Sequence, residues 1–174
     1  MKAVILAAGK GTRMRPLTLE TPKPMIEVLG QPLLHHIIDS LPGKITEVIL
    51  VVGYKQEKIK EYFGEEFEGK RLTYVTQEER KGTGHALGLC KDLFNEGERF
   101  LLMVGDDLHS PEALEKLVAH PLALLVHEHE EPSRFGVIEA DENNKALSFI
   151  EKPENPTSNL VWPGVAVLDT RVFN

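Results

Sequence analysis

The stretch LAAGKGTRMRPLTLETPKP, from Leu6 to Pro24, sets four cations, Lys10, Arg13, Arg15 and Lys23, against a single acid, Glu20. It directly follows the apolar run KAVIL and is punctuated by Gly9 and Gly11. Glycines let a backbone approach a ligand closely, and successive N–H groups flanked by cations form an anion-binding concavity. The whole chain carries a net charge of −7. The cations are therefore a local device for a compact anion, and the charge balance argues against a general nucleic-acid or anionic-membrane surface. Two familiar phosphate-binding patterns do not fit. The Walker lysine follows its second glycine, whereas Lys10 precedes Gly11; the dinucleotide pattern needs a third glycine where Met14 stands, and an acid at the end of the second strand.

The elements that must position this loop are readable from the apolar pattern. KAVIL (2–6), EVILVV (47–52), LTYVT (72–76) and RFLLMV (99–104) are short apolar or β-branched runs, as expected of buried parallel strands. Helical spacing appears in PLLHHIIDSL (32–41), through Leu33, Leu34, Ile37, Ile38 and Leu41, and in HALGLCKDLF (85–94), through Ala86, Leu89, Cys90, Leu93 and Phe94. SPEALEKLVA (110–119) opens with a capping serine, a proline and an acidic first turn. Alternating strands and helices imply βαβ crossovers and a doubly wound sheet. After Pro121 the pattern turns β-rich: LALLVHEHE (122–130) reads as one strand, RFGVIEAD and KALSFIEKP as a hairpin turning at 141–144, and GVAVLD (164–169) as a last strand.

With 174 residues, 41% hydrophobic and 27% charged, the chain is long enough for one domain with a sizeable core. Cys90 is the only cysteine, so no internal disulfide forms and a reducing compartment is expected. The N-terminal run lacks the form of a secretory leader and no run approaches 18 apolar residues, so the expected location is cytoplasmic, with no membrane partner.

The full string L-A-A-G-x-G-T-R-M-x-P-L-T-x-x-x-P-K-P-M resembles the signature of the sugar-1-phosphate nucleotidylyltransferases. These enzymes join a nucleoside triphosphate to a sugar 1-phosphate and release pyrophosphate. Further landmarks follow in that family's order: YVTQEERKGTGHAL (74–87) resembles the nucleobase segment, MVGDDL (103–108) the strand that ends in a metal-binding aspartate, and RFGVIEAD with FIEKPENPTSNL the acceptor-sugar segments. The resemblance implies an α/β fold, with a Rossmann-like, doubly wound, mixed but mostly parallel sheet and a β-rich second half. It implies one nucleotidyltransferase domain over 1–174 that lacks the family's C-terminal part, with a nucleotide-binding portion of about 1–110 and a sugar-binding portion of about 111–174.

Carried over residue by residue, the resemblance gives Leu6, Ala8, Gly9, Gly11 and Thr12 to the triphosphate, with Gln77, Gly82 and Thr83 at the base. Arg13 would face the leaving β- and γ-phosphates and Lys23 the α-phosphate, as the catalytic cations; Lys10 and Arg15 read as solvated surface charges. Gln77, able both to donate and to accept, matches the imide edge of uracil or thymine, so UTP or dTTP is expected rather than a purine. Gly82 would leave room for a backbone contact with the base. Asp106 would hold Mg²⁺, with Asp107 pointing elsewhere. Gly136 would bring its backbone to the sugar, Glu151 would accept from two hydroxyls, and Lys152 would pair with the sugar phosphate. His127 and His129 share a strand face without an apparent third metal ligand, and His85 reads as structural. The implied partners are thus a nucleoside triphosphate and a sugar 1-phosphate, without nucleic acid, and a homo-oligomer is left open.

Two features depart from the family pattern. The family's second metal-binding aspartate or asparagine, often near W-x-D-x-G-T, has no match here, and Asp169 does not replace it. Three readings follow: a piece of a longer enzyme, an enzyme with a reduced metal site, or a protein that binds nucleotide without turning it over. A metal-dependent glycosyltransferase would also explain Asp106–Asp107, but not GTRMRP or PKPM. Trp162 stands where N-acetylglucosamine-1-phosphate enzymes often carry asparagine, which favours glucose, while G-T-G-H-A favours the acetamido sugar.

Overall fold

The computed structural model describes residues 1–79 and 81–174. The apolar run at the start forms β1 (Lys2–Leu6), whose Ala3, Val4 and Ile5 are wholly buried because both faces of the strand are covered. The glycine loop that follows is wound into 3₁₀ turns at Thr12–Met14, Leu17–Leu19 and Lys23–Met25. A minimal hairpin, β2 (Glu27–Val28) and β3 (Gln31–Pro32), leads into α1 (Leu33–Asp39). Then come β4 (Glu47–Val52), α2 (Gln56–Phe63), β5 (Glu66–Phe67), β6 (Lys70–Thr76), α3 (Thr83–Gly88) and β7 (Arg99–Val104). α4 (Pro111–Ala119) is capped as its sequence predicts, the Ser110 hydroxyl accepting from the Ala113 amide. The last third supplies β8 (Ala123–Leu124), β9 (His127–Glu128), β10 (Gly136–Ala140), β11 (Ala146–Glu151), β12 (Leu160–Trp162) and β13 (Ala166–Asp169).

The main sheet has the order β5-β6-β4-β1-β7-β13-β8, with β6, β4, β1 and β7 mutually parallel. β5 and β13 run antiparallel to their neighbours, so the sheet is mixed and mostly parallel, as expected. Alternation along each strand divides the core. Ala3, Ile5, Val48, Leu50 and Met103 face α1, α2 and α4, whereas Val4, Ile49, Val51 and Leu102 face α3. A second sheet, in the order β11-β10-β12-β9, carries the hairpin. Its turn is fixed by Asp141, whose carboxylate accepts from the amides of Asn143 and Lys145. The portion after residue 110 contributes to both sheets, since β8 and β13 return to the main one.

Besides the short strands β2, β3, β5 and β12, which were not expected, three differences bear on the packing. The helix over 85–94 stops at Gly88 and continues only as a 3₁₀ turn at Lys91–Leu93; Gly84 and Gly88 make the segment a poor α-helix former, yet Cys90 is still buried. Burial pushes its thiol up to about 11. The strand over 122–130 is two short pieces, because the chain leaves the main sheet after Leu124 and pairs β9 with β12 of the second sheet. α2 was not foreseen: QEKIKEYF buries only Ile59 and Phe63, one turn apart.

Phe63 packs edge-on against Tyr62 and Phe67, with ring centroids 4.7 and 4.8 Å away, and is 2% exposed. Phe63→Ala should cost roughly 3–5 kcal/mol in urea unfolding. A loss below ~1 kcal/mol would contradict its place in the core.

Candidate functional site

Because Leu6 lies opposite both Val51 and Val104, and Val51 opposite Val75, the four parallel strands end level with one another. Everything that follows them in sequence is delivered to one edge, where open α/β sheets place ligands. A cleft of about 740 Å³ opens there. The glycine loop lines it with Leu6, Ala8, Gly9, Gly11, Thr12, Arg13 and Lys23, the turn before α3 with Gln77, Gly82 and Thr83, and the end of β7 with Asp106. All eleven nucleotide, catalytic and metal positions expected from the sequence thus share one concavity.

The loop is held from within. Gly11 adopts φ +59°, a conformation that favours glycine, and its carbonyl accepts from the Met14 amide at 2.9 Å and the Thr18 hydroxyl at 2.8 Å. Thr18 is 2% exposed and packs under the loop: a Cβ on Gly11 would stand 2.9 Å from Thr18 Cγ2 and 3.0 Å from Lys23 Cβ. The Tyr54 hydroxyl donates to the Leu19 carbonyl at 2.8 Å, and Lys58 donates to the Glu20 carbonyl at 2.6 Å. Neither Thr18 nor Tyr54 was foreseen as part of the site. Thr18 lies within the loop signature, but nothing in a sequence says which threonine folds back on which carbonyl. Lys10 rests its ammonium 5.8 Å from the centre of the Tyr54 ring and Arg15 is exposed, in keeping with surface roles.

Lys23, set between the buried Pro22 and Pro24, reaches across the cleft to form an ion pair with Asp106. The two side chains are 26% and 43% exposed. A pair so open to water contributes at most ~1 kcal/mol, so an arriving anion can exchange for the carboxylate at little cost. Asp107 turns away and accepts from the Leu108 amide. Nearby, His109 is nearly buried and its Nε2 has no hydrogen-bond partner among the described residues, with the Asp107 carboxylate 3.9 Å away; loss of hydration lowers its pKa, against a smaller raising effect of Asp107.

Across the cleft, Gln77 is 6% exposed; its Nε2 donates to the Gly82 carbonyl at 3.1 Å and lies 3.1 Å from His85 Nδ1. The amide nitrogen is thus already engaged within the protein. The Gly82 carbonyl also accepts from the Ala86 amide, so it is doubly used.

Gly136, Glu151 and Lys152 do not join the cleft. They sit on the second sheet, where Gly136 pairs with both Glu151 and Trp162. Gly136 is required by its neighbour: a Cβ there would lie 2.6 Å from the Phe149 ring. Glu151 and Lys152 are exposed and pair with each other at 3.4 Å. An apolar cavity of about 410 Å³ adjoins the cleft, sharing Leu6, Thr83 and Val104 with it and reaching Phe149 and Trp162 of the second sheet. The Trp162 indole donates to the Val165 carbonyl at 2.8 Å and meets Phe149 edge-on. His129 accepts from the Glu131 amide and packs on Phe135. Among the described residues no three His, Cys, Asp or Glu side chains gather to hold a metal by themselves, and no helix is long and apolar enough to cross a membrane.

A family model described as "Nucleotidyl transferase" matches residues 2–174. The chain belongs to the nucleotidyl transferase family. Two relatives illustrate its neighbourhood. The UTP–glucose-1-phosphate uridylyltransferase AglF of Haloferax volcanii is 40% identical over 182 residues, covering 100% of this chain and 74% of that protein. The bifunctional protein GlmU of Methanocaldococcus jannaschii is 39% identical over 173 residues, but the chain spans only 41% of its length. A crystal structure of UDP-glucose pyrophosphorylase with UDP-glucose superposes with a TM-score of 0.87 at 25% identity, covering 99% of this chain and 77% of that one. Gly11 is the tightest point of the family loop in this chain. Gly11→Ala should lower unfolding stability by about 1–2 kcal/mol, because its Cβ would collide with Thr18 and Lys23. A variant as stable as wild type in urea unfolding would contradict the loop geometry.

Proposed function

We propose that this chain binds UTP or dTTP in the cleft and transfers its nucleotidyl group to a sugar 1-phosphate, releasing pyrophosphate. The observation that carries the reading is the meeting of Lys23 and Asp106 across the mouth of a glycine loop. One cation and one carboxylate, 83 residues apart in sequence, converge where a triphosphate would lie. The names of the relatives, a UTP–glucose-1-phosphate uridylyltransferase among them, support the same reaction class.

Attack of the acceptor phosphate oxygen on the α-phosphorus asks for alignment and charge neutralisation more than for covalent help. The amides of Gly9 and Gly11 and the Thr12 hydroxyl would fix the phosphates. Arg13, exposed at the rim, would offer a forked donor to the departing pyrophosphate. Lys23 would exchange its bond to Asp106 for one to the phosphate about to be attacked, leaving the carboxylate free. Asp106 is then a hard oxygen ligand on the cleft wall, and one carboxylate completed by substrate phosphates and water is how Mg²⁺ is commonly held. That ion would supply charge neutralisation on the phosphates. Glu151 and Lys152 would meet the acceptor from the far side of the apolar cavity, with glucose favoured by the Trp162 wall.

Pyrophosphate release tests this directly, with UTP and dTTP offered against glucose, N-acetylglucosamine and mannose 1-phosphates in the presence of Mg²⁺. Lys23→Met should lower kcat about 10²–10³-fold with a smaller change in KM, and Asp106→Ala should remove turnover. Undiminished turnover in Lys23→Met would refute the assignment; triphosphate binding without turnover would make the chain a binder.

A further inference from the structure

Gln77, just past the end of β6, is more than nine-tenths buried on the wall of the cleft, yet its backbone does not fix which end of its amide faces the ligand. Two contacts do. The Gly82 carbonyl can only accept, so the atom 3.1 Å from it must be the amide nitrogen. That same nitrogen lies 3.1 Å from His85 Nδ1. Its second hydrogen is satisfied only if Nδ1 carries a lone pair, which puts the imidazole proton on Nε2. With the amide turned over, its oxygen would face the Gly82 carbonyl, acceptor against acceptor.

We infer that His85, as the Nε2–H tautomer, is a positioning residue that locks the Gln77 amide so that only its oxygen is offered to the nucleobase. This rests on the cleft being a nucleotide site. The consequence is a rule for the base. Its edge must bring a ring nitrogen that bears a hydrogen, as uracil, thymine and guanine do; cytosine and adenine bring a lone pair there and meet acceptor with acceptor. His85 touches no substrate, and its effect passes through Gln77 alone.

Two measurements decide the matter. In the free protein at about pH 8, long-range ¹H–¹⁵N correlation should show the His85 ring protonated at Nε2 and bare at Nδ1. A proton on Nδ1 would overturn the inference before any ligand is added. Calorimetry with Mg²⁺ would then compare UTP and CTP. Wild type should prefer UTP, and His85→Leu, which leaves the amide held by the Gly82 carbonyl alone, should shrink that preference by up to about tenfold, one hydrogen bond's worth. His85→Asn, whose side-chain oxygen can accept in place of Nδ1, should keep it. A preference undiminished in His85→Leu, or lost in His85→Asn, would overturn the positioning role. Should His85→Leu fail to fold, the wild-type tautomer and His85→Asn still decide. A wild type with the expected tautomer that binds no triphosphate would instead refute the nucleotide site, and the base rule with it.

Discussion

The site depends on one constraint, the parallel register that places β1 between β4 and β7. Burial of Ala3, Val4 and Ile5 without remaining exposure is worth roughly 1.5–3 kcal/mol for each of the larger side chains. That burial opposes any slip, since a shift by one residue would exchange the faces packed on α1 and α3. With the register fixed, Ala7, Gly53, Gln77 and Gly105 emerge side by side, tied by Ala7 N to Val51 O at 2.8 Å, Gln77 N to Val52 O at 2.7 Å and Gly105 N to Leu6 O at 2.9 Å. The cleft is the space these strand ends leave.

A chain of net charge −7 can hold a polyanion only if its cations are local and held in readiness. Lys23 is fixed at its base by two buried prolines but engaged at its tip by an exposed carboxylate. Asp106 thereby keeps the ammonium aimed across the cleft, and high dielectric keeps the bond cheap to exchange. Where Glu20 could have competed for the loop cations, Lys55 pairs with it at 2.9 Å on the side of the loop held by Tyr54 and Lys58.

What could be read from the sequence follows from how local each signal is. β1, β4 and β7 have the predicted limits because continuous apolar runs bounded by polar residues leave little choice, and the Ser110 cap marks α4 by residue type alone. α3 ends early because two glycines outweigh an apolar period, and the strand after Pro121 is divided by a change of partner sheet that no local pattern records. In the site, residue types in an ordered string singled out Gly11, Lys23, Gln77 and Asp106, which the fold brings around one cleft. The sequence could not show that Phe149 lies over Gly136, or that His85 and Gly82 close around the amide nitrogen of Gln77. Those facts are distances between side chains brought together by the fold.

The account stands or falls on whether the glycine loop, the Gln77 turn and the strand end at Asp106 bind one ligand together. Titration of the ¹⁵N-labelled chain with UTP and Mg²⁺, followed through backbone and Gln77 side-chain amides, tests this most directly. The account predicts concerted, saturable shifts at Gly9, Gly11, Thr12, Gln77, Gly82 and Asp106, fitting a single dissociation constant. Shifts confined to the second sheet, or differing constants for the loop and for Gln77, would contradict it.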